Sequence, residues 1–168
     1  METTALAPNT LAFIALCNEF CQACELSDES SADDFIASMT RLLPRIYISA
    51  SSLPVDMLGD SAYLPAALEE DYYDTIRRKI EILLGEDDTF LEVFEHDMKY
   101  SDTPIGASVS EALSDLFQVF YNFLSAVKDA PDDVIAESVG AVADDFAAYW
   151  SQTLVNVMRP LNSLHHKI

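Results

Sequence analysis

SVSEALSDLFQVFYNFLSAV, residues Ser108–Val127, is the stretch whose reading decides the fold. It opens on Ser108-Val109-Ser110-Glu111, the pattern of a capping box. In that motif the serine oxygen takes a backbone N–H of the first helical turn and the glutamate returns to the serine's own N–H. Behind the box, Ala112, Leu113, Leu116, Phe117, Phe120, Phe123, Leu124 and Val127 recur at helical spacing and spread over a wide arc. A helix apolar over such an arc is covered on more than one side. The stretch therefore predicts a central helix with helical neighbours.

Working outward, Pro131 stands where a proline suits the first helical position. After it, Ile135, Val139, Val142, Phe146, Tyr149, Trp150, Leu154, Val157, Met158 and Leu161 carry one stripe nearly to the C-terminus, with Pro160 expected to bend or end it. Toward the N-terminus, Phe13, Cys17, Phe20, Cys21 and Cys24 line one face of a helix over about Thr10–Leu26. Phe35, Met39, Leu42, Leu43, Ile46 and Ala50 hold their period through Pro44, which predicts one kinked helix from near Ser31 to Ser52. A further helix is expected over Pro65–Leu84, stopped at Gly85 by a left-handed cap. Leu53–Leu64 is read as a loop, Asp87–Phe94 as a short helix and Glu95–Ala107 as irregular chain. No segment sustains period-two alternation, so strands have no support. The expected architecture is all-α: residues 1–168 form a single acidic helical domain, an antiparallel bundle of five or six helices.

Composition agrees. Half of the 168 residues are apolar and only four are glycine, which suits a packed helical core better than a turn-rich sandwich. Twenty-nine acidic residues against nine basic give a formal charge of −20. Such a surface repels nucleic-acid phosphates and anionic lipids, both of which are bound through Lys and Arg. It favours a basic protein partner. The basic run Arg77-Arg78-Lys79 is read as a helix face paired with Asp71, Asp74 and Glu81. The N-terminal apolar stretch Leu11–Cys17 is broken by Asn18 and Glu19, so neither an export signal nor a membrane span is expected. Three cysteines with no export signal point to the reducing cytoplasm.

Several constellations invite chemistry. Cys17, Cys21 and Cys24 match the spacing of an iron–sulfur motif, but the same spacing is one face of an amphipathic helix and free cysteine packs as a small hydrophobe. Glu92-Val93-Phe94-Glu95 resembles the first magnesium motif of helical nucleotide pyrophosphatases. The second half would be Glu111 and Asp115, one residue too far apart. His96, His165 and His166 have no nucleophile signature beside them and are read as solvated. Asp115, flanked by Leu113, Leu116 and Phe117, is expected to be partly buried. Arg159 is its proposed partner and Trp150 stands near it on the last stripe. Asp115, Trp150 and Arg159 are thus the binding residues, with no catalytic residue, metal or cofactor assigned.

Certain pieces carry a resemblance. Leu42-Leu43-Pro44-Arg45-Ile46-Tyr47, Leu83-Leu84-Gly85-Glu86-Asp87, Tyr100-Ser101-Asp102, Ser110–Leu116, and Tyr149-Trp150 followed by Leu154-Val155-Asn156 and Arg159 resemble an uncharacterised bacterial family of small acidic all-helical proteins, a domain of unknown function. The likeness runs from about Asp34 to the C-terminus and implies a helical cytoplasmic protein with no assigned activity. Ala112, Ser151 and Asn162 stand where that family's pattern has an acidic residue, a glycine and a histidine. Three functions fit these readings: an adaptor binding a basic partner, a DNA-mimic inhibitor of a nucleic-acid-binding protein, and a carboxylate-metal phosphohydrolase. The charge and the lack of a catalytic constellation favour the first, a non-enzyme. Wide apolar faces leave room for a helix-mediated homodimer.

Overall fold

The computed structural model describes residues 7–54, 63–92 and 105–168. Helix α1 spans Pro8–Glu25 and α2 spans Ala32–Ser51. Helix α3 spans Glu70–Leu84, and α4 covers Val109–Val127. The last rod runs without a break through α5 (Asp132–Asp145), a π turn (Phe146–Trp150) and α6 (Ser151–His166). The chain is an all-α bundle carrying one small sheet, β1 (Thr89–Glu92) against β2 (Ile105–Ser108). Among the described residues, no helix is long and apolar enough to cross a membrane.

Helix α4 packs against α1, α3, α5 and α6, while α2 packs against α1 and α6. Its position explains its wide apolar arc. Leu113, Leu116, Phe117, Phe120 and Phe123 are all fully buried. At the centre, the Phe120 ring meets Phe20 edge-on at 5.1 Å and Trp150 edge-on at 5.1 Å, while Phe13 stacks on Trp150 at 6.3 Å. Cys17, Cys21 and Cys24 are buried and unbridged in the same core. Burial pushes their thiols up, Cys21 to about 12. Uncharged thiols in an apolar core pack as small hydrophobes.

Both internal prolines are tolerated. Pro44 sits between the buried Leu43 and Ile46, and Pro160 between the buried Val157 and Leu161. In each case burial on both sides of the lost hydrogen bond carries the helix past it. The helix containing Pro160 continues to His166, so that proline does not end it. Pro131 is the N-cap of α5, one position earlier than expected, and its carbonyl accepts from the Ile135 N–H at 3.0 Å.

Other boundaries move for tertiary reasons. Helix α3 starts at Glu70, not Pro65, because the Asn122 side-chain oxygen on α4 accepts from the backbone N–H groups of Ala67 and Leu68, each at 2.9 Å. A side chain more than fifty residues away thus satisfies these backbone donors, and the segment stays outside the helix. The short helix expected over Asp87–Phe94 is instead a 3-10 turn at Gly85–Asp88 followed by β1. Gly85 ends α3 with the expected positive φ of 58°, but its ψ of −125° lies outside the left-handed helical region of the expected cap. β1 pairs antiparallel with β2, Thr89 opposite Ser108 and Glu92 opposite Ile105, so part of the stretch expected to be irregular is strand. Four residues per strand are too few to show alternation in the sequence. Residues 93–104, which include Glu95, His96, Asp97 and Tyr100-Ser101-Asp102, lie outside the described residues, as do residues 55–62 of the expected loop.

On α3, Arg77 pairs with Asp74 at 2.9 Å and Glu81 at 2.6 Å, and Arg78 pairs with Asp74 at 2.8 Å. Lys79 turns the other way, donating to the Glu25 carbonyl at 2.8 Å and lying 3.6 Å from Asp28. The basic run is therefore matched by local carboxylates, with Asp28 in the place expected for Asp71.

Candidate functional site

Helical spacing sets Glu111 and Asp115 four residues apart on one side of α4, away from the buried Leu113 and Phe117. Thr153 and Asn156 stand one turn apart on α6. With Glu92 and Phe90 from β1 and Ser108 from β2, they line a cleft of about 170 Å³. Among the described residues, three carboxylates (Glu92, Glu111 and Asp115) and no Lys, Arg or His line it. The small sheet forms one wall and two helices the other.

Asp115 is half-buried, as its apolar neighbours suggested. Its hydrogen bond goes to Tyr73 of α3, whose hydroxyl donates to Asp115 Oδ1 at 2.6 Å. Desolvation raises the Asp115 carboxyl above its usual range, Glu111 adds to the rise and the Tyr73 bond opposes it. Burial and then the bond to Asp115 push the Tyr73 phenol up. Tyr149 is raised by burial and by Asp115, with Thr153 opposing. The π turn carries Tyr149 on the exposed side while Trp150, the next residue, is buried. π turns are frequent at functional sites.

The sign of the Asp115 shift sets a pH dependence. A carboxyl raised in the folded state holds its proton more tightly than the unfolded chain does. The group's contribution to stability is therefore fully present below its unfolded pKa and is lost as pH rises through its folded pKa. Asp115→Asn removes that loss, so its melting temperature is expected to exceed the wild type's at neutral pH and to match it in acid. Tyr73→Phe removes the bond that opposes the rise and is expected to raise the Asp115 pKa further, followed by NMR titration of its carboxyl carbon. A lower pKa in Tyr73→Phe would show that this hydroxyl does not stabilise the carboxylate.

The structure does not bring the three expected binding residues together. Arg159 makes no ion pair with Asp115; it lines a different cleft, beside Glu86 and Asp87. Trp150 has no exposed surface, and its indole N–H donates to the Val142 carbonyl at 3.0 Å, so it belongs to the core. Asp115 alone reaches the acidic cleft. Helical period, which put Asp115 and Arg159 on separate helices, could not say which neighbour Asp115 would face. Tyr73 lies within the helix expected over Pro65–Leu84 without a signal that singled it out, and Thr153 and Asn156 carried none beyond helical spacing.

The metal reading loses its geometry. Glu92 ends a strand, so it is not the first residue of a helical motif, and Glu95 lies outside the described residues. Among the described residues, no group of three or more His, Cys, Asp or Glu stands in position to hold a metal ion. His165 and His166 lie in the last turn of α6, their rings 4.7 Å apart.

A family model described as "Domain of unknown function (DUF5063)" matches residues 4–167. A search of curated proteins finds no match. Among solved structures, the crystal structure of protein BF1032 from Bacteroides fragilis is similar, with a TM-score of 0.81 and 25% sequence identity over 96% of this chain and 94% of that one.

Proposed function

The chain belongs to the DUF5063 family, a domain of unknown function, and on that premise we propose that it is a non-catalytic adaptor that binds a basic segment of a partner protein. The observation that carries this reading is the cleft lined by Glu111 and Asp115, one turn apart on α4, with no cationic side chain among its described lining residues. Its field adds to that of a chain with formal charge −20, which speeds encounter with cationic partners. A partner's Lys or Arg head group placed there would meet carboxylate acceptors, with Thr153 and Asn156 supplying further polar atoms. The Phe90 ring offers an apolar wall for the aliphatic stem of such a side chain.

A duplex mimic would need an elongated track of carboxylates at phosphate spacing; the adaptor reading rests instead on Glu111 and Asp115, which line one cleft. A phosphohydrolase would need cations near the carboxylates to hold phosphates, and the described lining residues supply none.

The test is fluorescence anisotropy of a labelled Lys/Arg-rich peptide against the wild type and two charge-matched double variants. Glu111→Gln/Asp115→Asn should weaken binding by about tenfold, since each charge-assisted contact contributes roughly 1 kcal/mol or more. Glu29→Gln/Glu137→Gln, on exposed positions away from the cleft lining, should change it by less than about twofold. Equal weakening by both pairs would mean that the peptide reads net charge and not the cleft, and the proposal would fall.

A further inference from the structure

A second cleft, of about 360 Å³, lies between β1 with its preceding turn and α6. Its volume is at the small end of ligand sites, which run from about 300 to 1,000 Å³. Arg159 lines it from α6; Glu86 and Asp87 line it from the turn after α3. Phe90, Pro160 and Leu164 give it apolar walls. Among the described residues, no ion pair joins Arg159 to Glu86, to Asp87 or to any other carboxylate. Charges of both signs thus line one small cleft without neutralising each other.

We infer that this cleft binds a zwitterionic amphipath, an apolar α-amino acid. A ligand carrying only a carboxylate would find Arg159 but would also meet Glu86 and Asp87. One carrying only an ammonium would find those carboxylates but would meet Arg159. A molecule with both groups answers all three charges, and its zero net charge spares it the repulsion that a chain at −20 imposes on anions. The planar guanidinium matches a carboxylate in two parallel hydrogen bonds. The apolar side chain then lies against Phe90, Pro160 and Leu164, where its burial adds to affinity. This site is separate from the acidic cleft, although Phe90 lines both.

The experiment is an NMR titration of the isotopically labelled protein with phenylalanine and two probes that each lack one charge: 3-phenylpropionate and phenethylamine. Phenylalanine is expected to give saturable shifts at the backbone amides of Thr89, Leu91 and Ser163, and to bind at least about tenfold more tightly than either probe. Arg159→Gln should abolish the phenylalanine response, whereas Glu86→Gln/Asp87→Asn should weaken phenylalanine and leave 3-phenylpropionate no weaker. All three positions are exposed, so the variants should keep the wild-type circular dichroism melt. Neither variant should alter binding of the basic peptide, which separates this site from the acidic cleft. No saturable shift below about 10 mM, a one-charge probe binding as tightly as phenylalanine, or a folded Arg159→Gln responding like the wild type would each overturn the inference.

Discussion

Trp150→Ala is expected to destabilise the fold by about 3–5 kcal/mol, the range for emptying a fully buried large aromatic position. Trp150 has no exposed surface. Its ring lies 4.5 Å from Phe146, 5.1 Å from Phe120 and 6.3 Å from Phe13, so it joins the last rod to α1 and α4. The indole N–H reaches back eight residues along its own rod to the Val142 carbonyl, fixing the ring across the π turn. Truncation leaves a cavity ringed by three phenylalanines that the rigid helices cannot fill by collapse. Trp150→Phe keeps an aromatic ring in the core and should cost less, about 1–2 kcal/mol. The Val142 carbonyl still accepts from the Phe146 N–H, so loss of the indole donor does not leave it bare. Urea unfolding followed by circular dichroism measures both, since the variants lack the sole tryptophan. A loss below about 1 kcal/mol in Trp150→Ala, with the slope unchanged, would contradict this account of the core.

The second large effect belongs to a residue with no hydrophobic surface. Asp88→Ala is expected to cost about 2–3 kcal/mol, combining a lost helix cap with the desolvation of its former partners. Asp88 is only 5% exposed. Its Oδ1 accepts from the Ser110 backbone N–H at 2.7 Å and its Oδ2 from the Ser110 hydroxyl at 2.6 Å. Ser110 is the second residue of α4, so the carboxylate sits at a helix N-terminus, where the dipole favours negative charge. One turn position later, Ser108 Oγ accepts from the Glu111 N–H at 3.1 Å. Two different residues therefore serve neighbouring donors, and Asp88 additionally ties the turn after α3 to the start of α4. Asp88→Asn preserves the shape and one acceptor, and should cost about 1 kcal/mol. A cycle with Ser110→Ala should be non-additive by about 1 kcal/mol, because both changes remove the same hydroxyl–carboxylate bond. An Asp88→Ala protein within about 0.5 kcal/mol of the wild type would rule out the cap.

Legibility followed the range of the interactions concerned. The serine of the capping box at Ser108 was readable because donor and acceptor lie three residues apart. The deeper cap was not, since Asp88 is one of a run of acidic residues and its partner lies twenty-two positions away. Likewise, helical period placed Asp115 near an apolar face and placed Arg159 on the last stripe. It could not decide that Tyr73 would take the carboxylate and that Arg159 would face another cleft.

Periodic burial of apolar side chains is a local property, so the sequence by itself determined that this protein is a bundle of amphipathic helices, where α1, α2 and α4 run, and that Phe120 and Phe146 belong to its core. The tertiary structure decided the rest: a four-residue strand pair, the late start of α3 under Asn122, the cap from Asp88, and which charged residues share a cleft. Each of these depends on groups brought together from distant parts of the chain, and no repeat along the sequence records which distant group a polar atom will meet.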